Sequence, residues 1–160
     1  MKKLIYIIGI LLFVGCNTPA KINSIDPKEN YISTVRWDKN DLQEMANRIA
    51  TNIISSSTID FSKNYSIGEI KNRSHDHIDT KHLADKISMA LSQSKKINIV
   101  KSGSSGIFLG KISSIFKKNG RTKDMFFNFN MTLTDTKTGQ VLWSHDVEVR
   151  KIYKKALFGW

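Results

Sequence analysis

A strand that leads into an amphipathic helix is the feature that most constrains how this 160-residue chain can fold. Residues 65–70 are rich in β-tolerant apolar side chains, and a polar connector separates them from apolar residues that recur at helical spacing over 83–91. Asp79 or Thr80 offers a side-chain oxygen that can cap this helix. A second strand is predicted at residues 97–101. Because neighbouring parallel strands need a crossover connection of this kind, the segment predicts a βαβ unit.

Another helix is predicted before this unit. Its apolar face is formed by Leu42, Met45, Ala46, Ile49, Ala50 and Ile53. Either Asp38 or Asn40 can cap its first turn, because both side chains accept hydrogen bonds from free backbone amides. The serine- and threonine-rich residues 55–59 favour an end to the helix there.

Three strands are predicted after the βαβ unit, at residues 107–117, 125–134 and 141–149. The Asn119-Gly120 pair predicts a tight hairpin between the first two strands. Apolar side chains from Met125 to Leu133 alternate with polar ones, and a second alternating series begins at Val141 and continues through Trp143, His145, Val147 and Val149. The chain therefore predicts an α+β two-layer sandwich, with a mixed sheet of about five strands and two helices on one face.

The amino terminus has the pattern of an export signal. Lys2 and Lys3 precede an apolar run over residues 4–14, which is shorter than the ~20 residues that a membrane-spanning helix needs. Gly15-Cys16 closes the run in a way that resembles a bacterial lipoprotein box. Cys16 is the only cysteine, so it has no disulfide partner within the chain, and we expect its thiol to carry the lipid, with palmitate as an acyl chain.

These features predict three segments. Residues 1–15 are a lipoprotein signal peptide, residues 16–36 are a lipidated flexible linker, and residues 37–160 are a globular domain. The formal net charge of +11 is compatible with a solvated lysine-rich surface, or with an acidic partner such as nucleic acid, anionic lipid or a protein. Export argues against nucleic acid as the partner.

The sharpest candidate for enzymatic chemistry is the histidine-rich connector, residues 75–82, since imidazoles and carboxylates bind zinc. Its spacing matches no common ligand pattern, and lysines at 81 and 86 oppose a cation. A polar connector with capping histidines is the alternative. The sequence also lacks a phosphate-binding glycine loop and a serine nucleophile elbow. We therefore predict no enzyme, no metal and no cofactor, with a metal-dependent hydrolase as a hypothesis for metal analysis to test.

The last residues, Lys154 to Trp160, carry Phe158 and Trp160 without a strand pattern. They either dock back against the domain or contact a partner through aromatic anchors.

Several blocks of sequence resemble one family, the penicillin-binding protein activators of the LpoB type. The blocks are Gly68–Ser74, His77–Thr80, Asp85–Ile87, Gly110–Ser114, Asn119–Arg121, Thr138–Ser144 and Glu148–Lys151. The resemblance implies a fold of the TolB N-terminal type. It also implies an outer-membrane lipoprotein that faces the periplasm, and Asn17 after the cysteine is compatible with that destination.

The resemblance further implies a function. Members of the family have no catalytic residues, and they bind and activate a class A penicillin-binding protein, which is a bifunctional peptidoglycan synthase. This chain departs from the family at residues 102–106, where five glycines and serines replace a longer segment that contains a helix. Its linker is also short, whereas well-known members carry a long, proline-rich one.

For the partner-binding surface we select five exposed, polar positions on rigid elements: Arg73, His75 and His77 in the connector, and Arg121 and Lys123 in the hairpin. We expect the chain to be monomeric. The alternative function is a structural or secretion-related envelope lipoprotein that oligomerises through the same fold and resembles the curli-pore relatives.

Overall fold

The apolar spacing of the sequence produces two helices and five strands in the computed structural model, which describes residues 35–154. In chain order the elements are α1 (Lys39–Ser55), β1 (Asn64–Arg73), α2 (Thr80–Gln93), β2 (Asn98–Ile99), β3 (Gly106–Asn119), β4 (Thr122–Asp135) and β5 (Val141–Lys154). The predicted leader, Cys16 and most of the linker lie outside the described residues, as do Phe158 and Trp160 of the tail.

The strands form one mixed sheet in the order β2-β1-β3-β4-β5. β1 is parallel to both of its neighbours, whereas β3, β4 and β5 are successive antiparallel strands. The predicted βαβ unit followed by an antiparallel meander is therefore confirmed, and so is the α+β class. The second strand is shorter than predicted, because only Asn98 and Ile99 pair with β1.

Both helices begin at aspartate caps. The Asp38 side chain accepts from the backbone N–H of Asn40 and of Asp41, and the Asp41 side chain accepts in return from the N–H of Asp38, which completes a capping box. Asp79 caps α2 by accepting from the N–H of His82 at 2.9 Å. Of the alternatives left open by the sequence, the aspartate serves as the cap in each helix.

The core lies between the helices and one face of the sheet. The predicted stripe of α1 is buried, from Leu42 to Ile53, and so are Leu83, Ile87 and Leu91 of α2. The alternation of β4 is confirmed as well. Its inward side chains are Met125, Phe127, Phe129, Met131 and Leu133, and all five are buried.

Two details of the meander differ from the predictions. The two residues at the turn of the β3–β4 hairpin are Gly120 and Arg121, since Asn119 still pairs with Thr122. Gly120 has a φ of +53°, a left-handed conformation that suits glycine. A register shift after Leu133 places Val141 outside the inward series, so the side chain is 61% exposed, and the predicted series on β5 begins at Trp143 instead.

The short serine- and glycine-rich segment before β3 forms hydrogen bonds with two other parts of the chain. The Ser104 hydroxyl lies 2.9 Å from the hydroxyl of Ser66 on β1, and the Thr136 hydroxyl donates to the carbonyl oxygen of Ser104 at 2.9 Å. These bonds fix the segment against β1 and against the β4–β5 turn. Neither described helix is long and apolar enough to cross a bilayer.

Candidate functional site

A groove of about 810 Å³ lies at the end of the sheet where β1 finishes and the β3–β4 hairpin projects. The floor is formed by inward-facing side chains of the three meander strands, and the wall by two short segments that precede α1 and α2. The floor residues are Ser114, Phe116, Met125 and Tyr153, and the wall residues are Val35, Arg36, His75 and Asp76.

The floor of the groove exists because the hairpin extends beyond the helix layer. Phe116 pairs with Met125 across the strands, and Ser114 pairs with Phe127, so these side chains share the face that carries the core. Phe127 is fully buried, whereas Phe116, two residue pairs further along the hairpin, is 45% exposed. An aromatic side chain on the apolar face of the sheet is therefore left partly uncovered.

The wall is held in place by hydrogen bonds. The Asp76 carboxylate accepts from the backbone N–H of Trp37 at 2.7 Å, which joins the connector to the segment before α1. The N–H of His75 donates to the hydroxyl of Ser114 at 3.1 Å, and the Asn72 side chain donates to the carbonyl oxygen of Asp76 at 2.9 Å. The connector is thus fixed against both β3 and the start of α1, and the groove is preformed.

Two like charges face each other at the hairpin end of the groove. Lys118 of β3 is directly opposite Lys123 of β4, and both side chains are exposed. Lys123 lies 6.0 Å from the centre of the Tyr153 ring, which is a cation–π distance. Among the residues that the structure describes, neither lysine forms an ion pair. Like charges directly opposite each other destabilise a strand pair, so these two lysines do not contribute to the stability of the hairpin.

Of the five positions selected from the sequence, the structure brings two together in this groove. His75 and Lys123 both line it. Arg73 is the last residue of β1, His77 lies in the connector, and Arg121 lies in the hairpin turn; all three are exposed but do not line the groove. The sequence did not identify Phe116 or Lys118, because an apolar residue and a lysine near a hairpin are common on any sheet.

A buried ion cluster lies beneath the groove. Lys151 of β5 is 5% exposed, and its Nζ donates to Asp38 Oδ2 at 2.8 Å, to Asp41 Oδ2 at 2.7 Å and to the carbonyl oxygen of Arg36 at 2.8 Å. Lys151 thereby joins the capping box of α1, and Arg36 two residues before the cap, to the sheet. Sequence reasoning missed this residue, although its place two positions after Val149 in an alternating inward series was an available signal.

Burial and pairing shift the pKa values of the three groups. Burial acts to lower the pKa of Lys151, but hydrogen bonds to the two carboxylates and their negative charges outweigh it and raise that pKa. Burial raises the pKa of Asp41 in spite of the bond from Lys151. For the more exposed Asp38, burial also acts upward, but the bonds from Lys151 and from two backbone amides lower the pKa. The two carboxylates therefore share one ammonium group through hydrogen bonds, and Lys151 stays protonated in the folded protein.

Metal ligands do not converge in the part of the chain from 35 to 154, where no three His, Cys, Asp or Glu side chains form a group that could hold an ion. The acidic residues of the histidine-rich connector have structural partners instead, since Asp76 bonds Trp37 and Asp79 caps α2. His145 stacks on Trp143, with ring centres 6.0 Å apart. The carboxylates of the connector thus hold its backbone in place, and His75 and Asp76 line the groove.

Comparisons with known proteins agree with this fold. The family model of the peptidoglycan-synthase activator LpoB matches residues 41–106 and 103–149. The structure is similar to the LpoB C-terminal domain from Escherichia coli, with a TM-score of 0.53 and 12% identity, covering 68% of this chain and 98% of that one. The same domain from Salmonella enterica gives a TM-score of 0.51, with the same identity and coverage.

A search of curated proteins gave no match. At 12% identity the two solved structures establish the fold alone. The family match is independent of them and spans both helices, the connector and most of the meander. The resemblance seen in the sequence is confirmed: this chain belongs to the LpoB family of peptidoglycan-synthase activators.

Proposed function

We propose that this protein is a lipid-anchored, non-catalytic regulator that binds and activates a bifunctional peptidoglycan synthase, a class A penicillin-binding protein. The observation that supports this proposal most strongly is the family match over residues 41–149. A family of activators acts by contact with the synthase, and a ligand shifts an equilibrium only by binding one state better than the other. The protein therefore stabilises the active state of its partner and takes no part in bond breakage.

The preformed groove supports a role in binding. Its floor offers apolar side chains, its rim carries Lys123 and His75, and the connector that forms its wall is fixed by hydrogen bonds. A fixed surface binds with little loss of conformational entropy. We place Arg73, His77 and Arg121 at the margin of the same partner contact.

Binding is tested with purified components. The full lipidated protein in detergent is titrated onto each class A penicillin-binding protein of its own cell, with an unrelated membrane protein in the same detergent as control. The proposal predicts saturable binding of one monomer to one intact synthase. Absence of binding to every class A synthase at micromolar concentration would refute it.

We further propose that Cys16 carries the lipid and holds the protein at the outer membrane, facing the periplasm. Each buried methylene of an acyl chain contributes about 0.8 kcal/mol, and multiple chains make the attachment durable. Cys16→Ser should move the protein from the outer-membrane fraction to the soluble periplasmic fraction. Lys96→Glu, an exposed change far from the leader in sequence, should leave it membrane-bound. Membrane retention of the serine variant would contradict the anchor.

A further inference from the structure

We propose that the groove is the surface that holds the synthase, and that it takes an acidic segment of the partner with one apolar side chain inserted against Phe116, Met125 and Tyr153. This inference rests on the proposed function and adds to it the location and the chemistry of the contact.

The apolar part of the contact follows from the floor. Phe116 is 45% exposed although it lies on the face of the sheet that carries the core. Met125, its cross-strand partner, and Tyr153 of β5 line the same groove, so an inserted side chain would meet two aromatic rings and a flexible thioether. Burial of an aliphatic or aromatic side chain here contributes favourably, and aromatic floors of this kind are typical of binding hot spots.

The acidic part of the contact follows from the charges at the hairpin. Lys118 and Lys123 face each other directly, and neither has an anionic partner between residues 35 and 154. The carboxylate that lines the groove, Asp76, accepts the N–H of Trp37 and forms no ion pair with either lysine. A carboxylate of the partner placed between the two ammonium groups would turn a repulsive pair into a favourable three-charge arrangement.

The shape of the site favours a protein segment over a lipid surface. The groove has a floor on the sheet and a wall on the connector, a concave shape that suits an inserted chain segment better than a flat bilayer. A volume of about 810 Å³ accommodates a few amino-acid side chains. An anionic membrane would instead contact the lysines of the hairpin without entering the groove.

Charge reversal at Lys118 separates binding from folding. In Lys118→Glu the repulsive pair becomes an attractive cross-strand pair, so the hairpin is stabilised while the positive site is lost. We expect Tm to stay level or to rise, and the affinity for the purified synthase to fall by about tenfold or more. Lys123→Glu and Phe116→Ala should each weaken binding to a similar degree.

The matched control is Lys96→Glu, which changes an exposed lysine next to β2, at the end of the sheet where β1 begins. This variant should bind within about twofold of the wild type. If the wild type binds the synthase and the three groove variants also bind within twofold, the location is wrong while the proposed function stands. If the wild type binds no synthase, the proposed function fails and this inference fails with it. Unchanged synthase affinity together with reduced binding of Lys118→Glu to phosphatidylglycerol vesicles would overturn the inference in favour of a lipid surface.

Discussion

Lys151 and Asp41 are separated by 110 positions in the sequence and form a buried ion pair with 2.7 Å between Nζ and Oδ2. The pair connects the edge strand of the sheet to the first turn of the first helix. Lys151 also donates to the carbonyl oxygen of Arg36, which fixes the residues just before α1 against the sheet. The position of one wall of the groove therefore depends on a charge in the core.

Lys151→Met tests this dependence. The change leaves the carboxylates of Asp38 and Asp41 without their ammonium partner, and removal of one member of a buried pair typically costs about 3–5 kcal/mol of unfolding free energy. Urea denaturation at neutral pH measures the loss. The control is Lys154→Met on the same strand, where the lysine is exposed and a change of no more than about 0.5 kcal/mol is expected. A Lys151→Met variant as stable as the control would contradict the proposed role of the cluster.

The cluster also predicts a dependence of stability on pH. The pKa of Lys151 in the folded protein is raised above its ordinary value of 10.5, because its bonds to the carboxylates outweigh the effect of burial. The folded state thus holds this proton more tightly, so the contribution of Lys151 is fully present below pH 10.5 and is lost as the pH rises through the raised pKa.

The difference in unfolding free energy between the wild type and Lys151→Met should therefore shrink at strongly alkaline pH. Denaturation curves of both proteins across the alkaline range measure it, and the subtraction removes the contributions of the other titrating groups. A difference that stays constant through the alkaline range would mean that the folded and unfolded states hold the Lys151 proton equally tightly, so that its pKa is not raised by folding.

Gly110 occupies a position with no room for a side chain. A Cβ atom there would lie 2.7 Å from Cε2 of Phe129 and 3.0 Å from Cγ1 of Ile70, and Phe129 is fully buried. Gly110→Ala should lower the free energy of unfolding by about 1–3 kcal/mol, because the core is overpacked where β3 lies between β1 and β4. Thermal and urea unfolding measure this effect, with Lys111→Ala as the exposed neighbour. If Gly110→Ala and Lys111→Ala both unfold at the temperature and urea concentration of the wild type, the packing at Gly110 is looser than described.

Much of this fold was predictable because a single periodic pattern determines each element. The apolar stripe of α1 and the alternation of β4 each predict which side chains face the core, and the structure confirms both predictions. Val141 was misassigned because a register shift after Leu133 interrupts the alternation, and no local signal in the sequence marks that shift.

The site was less predictable because it depends on pairs that are distant in the chain. The groove exists because β1 lies beside β3, which brings His75 of the histidine-rich connector next to Ser114 of β3. Lys151 was missed because an isolated lysine in a strand is usually read as solvent-exposed, and its partner carboxylates belong to another element. The positions His75 and Lys123 were found because they are polar side chains on short, rigid segments. Phe116 gave no signal, because the sequence does not show how far the helix layer covers the sheet.

The most direct test of the central claim is the rate of glycan-strand polymerisation by the purified class A synthase, measured with increasing amounts of the full lipidated protein in detergent. The account predicts that the rate rises and saturates at one protein per synthase, and that the protein alone forms no product. A polymerisation rate that stays unchanged at saturating protein would contradict it.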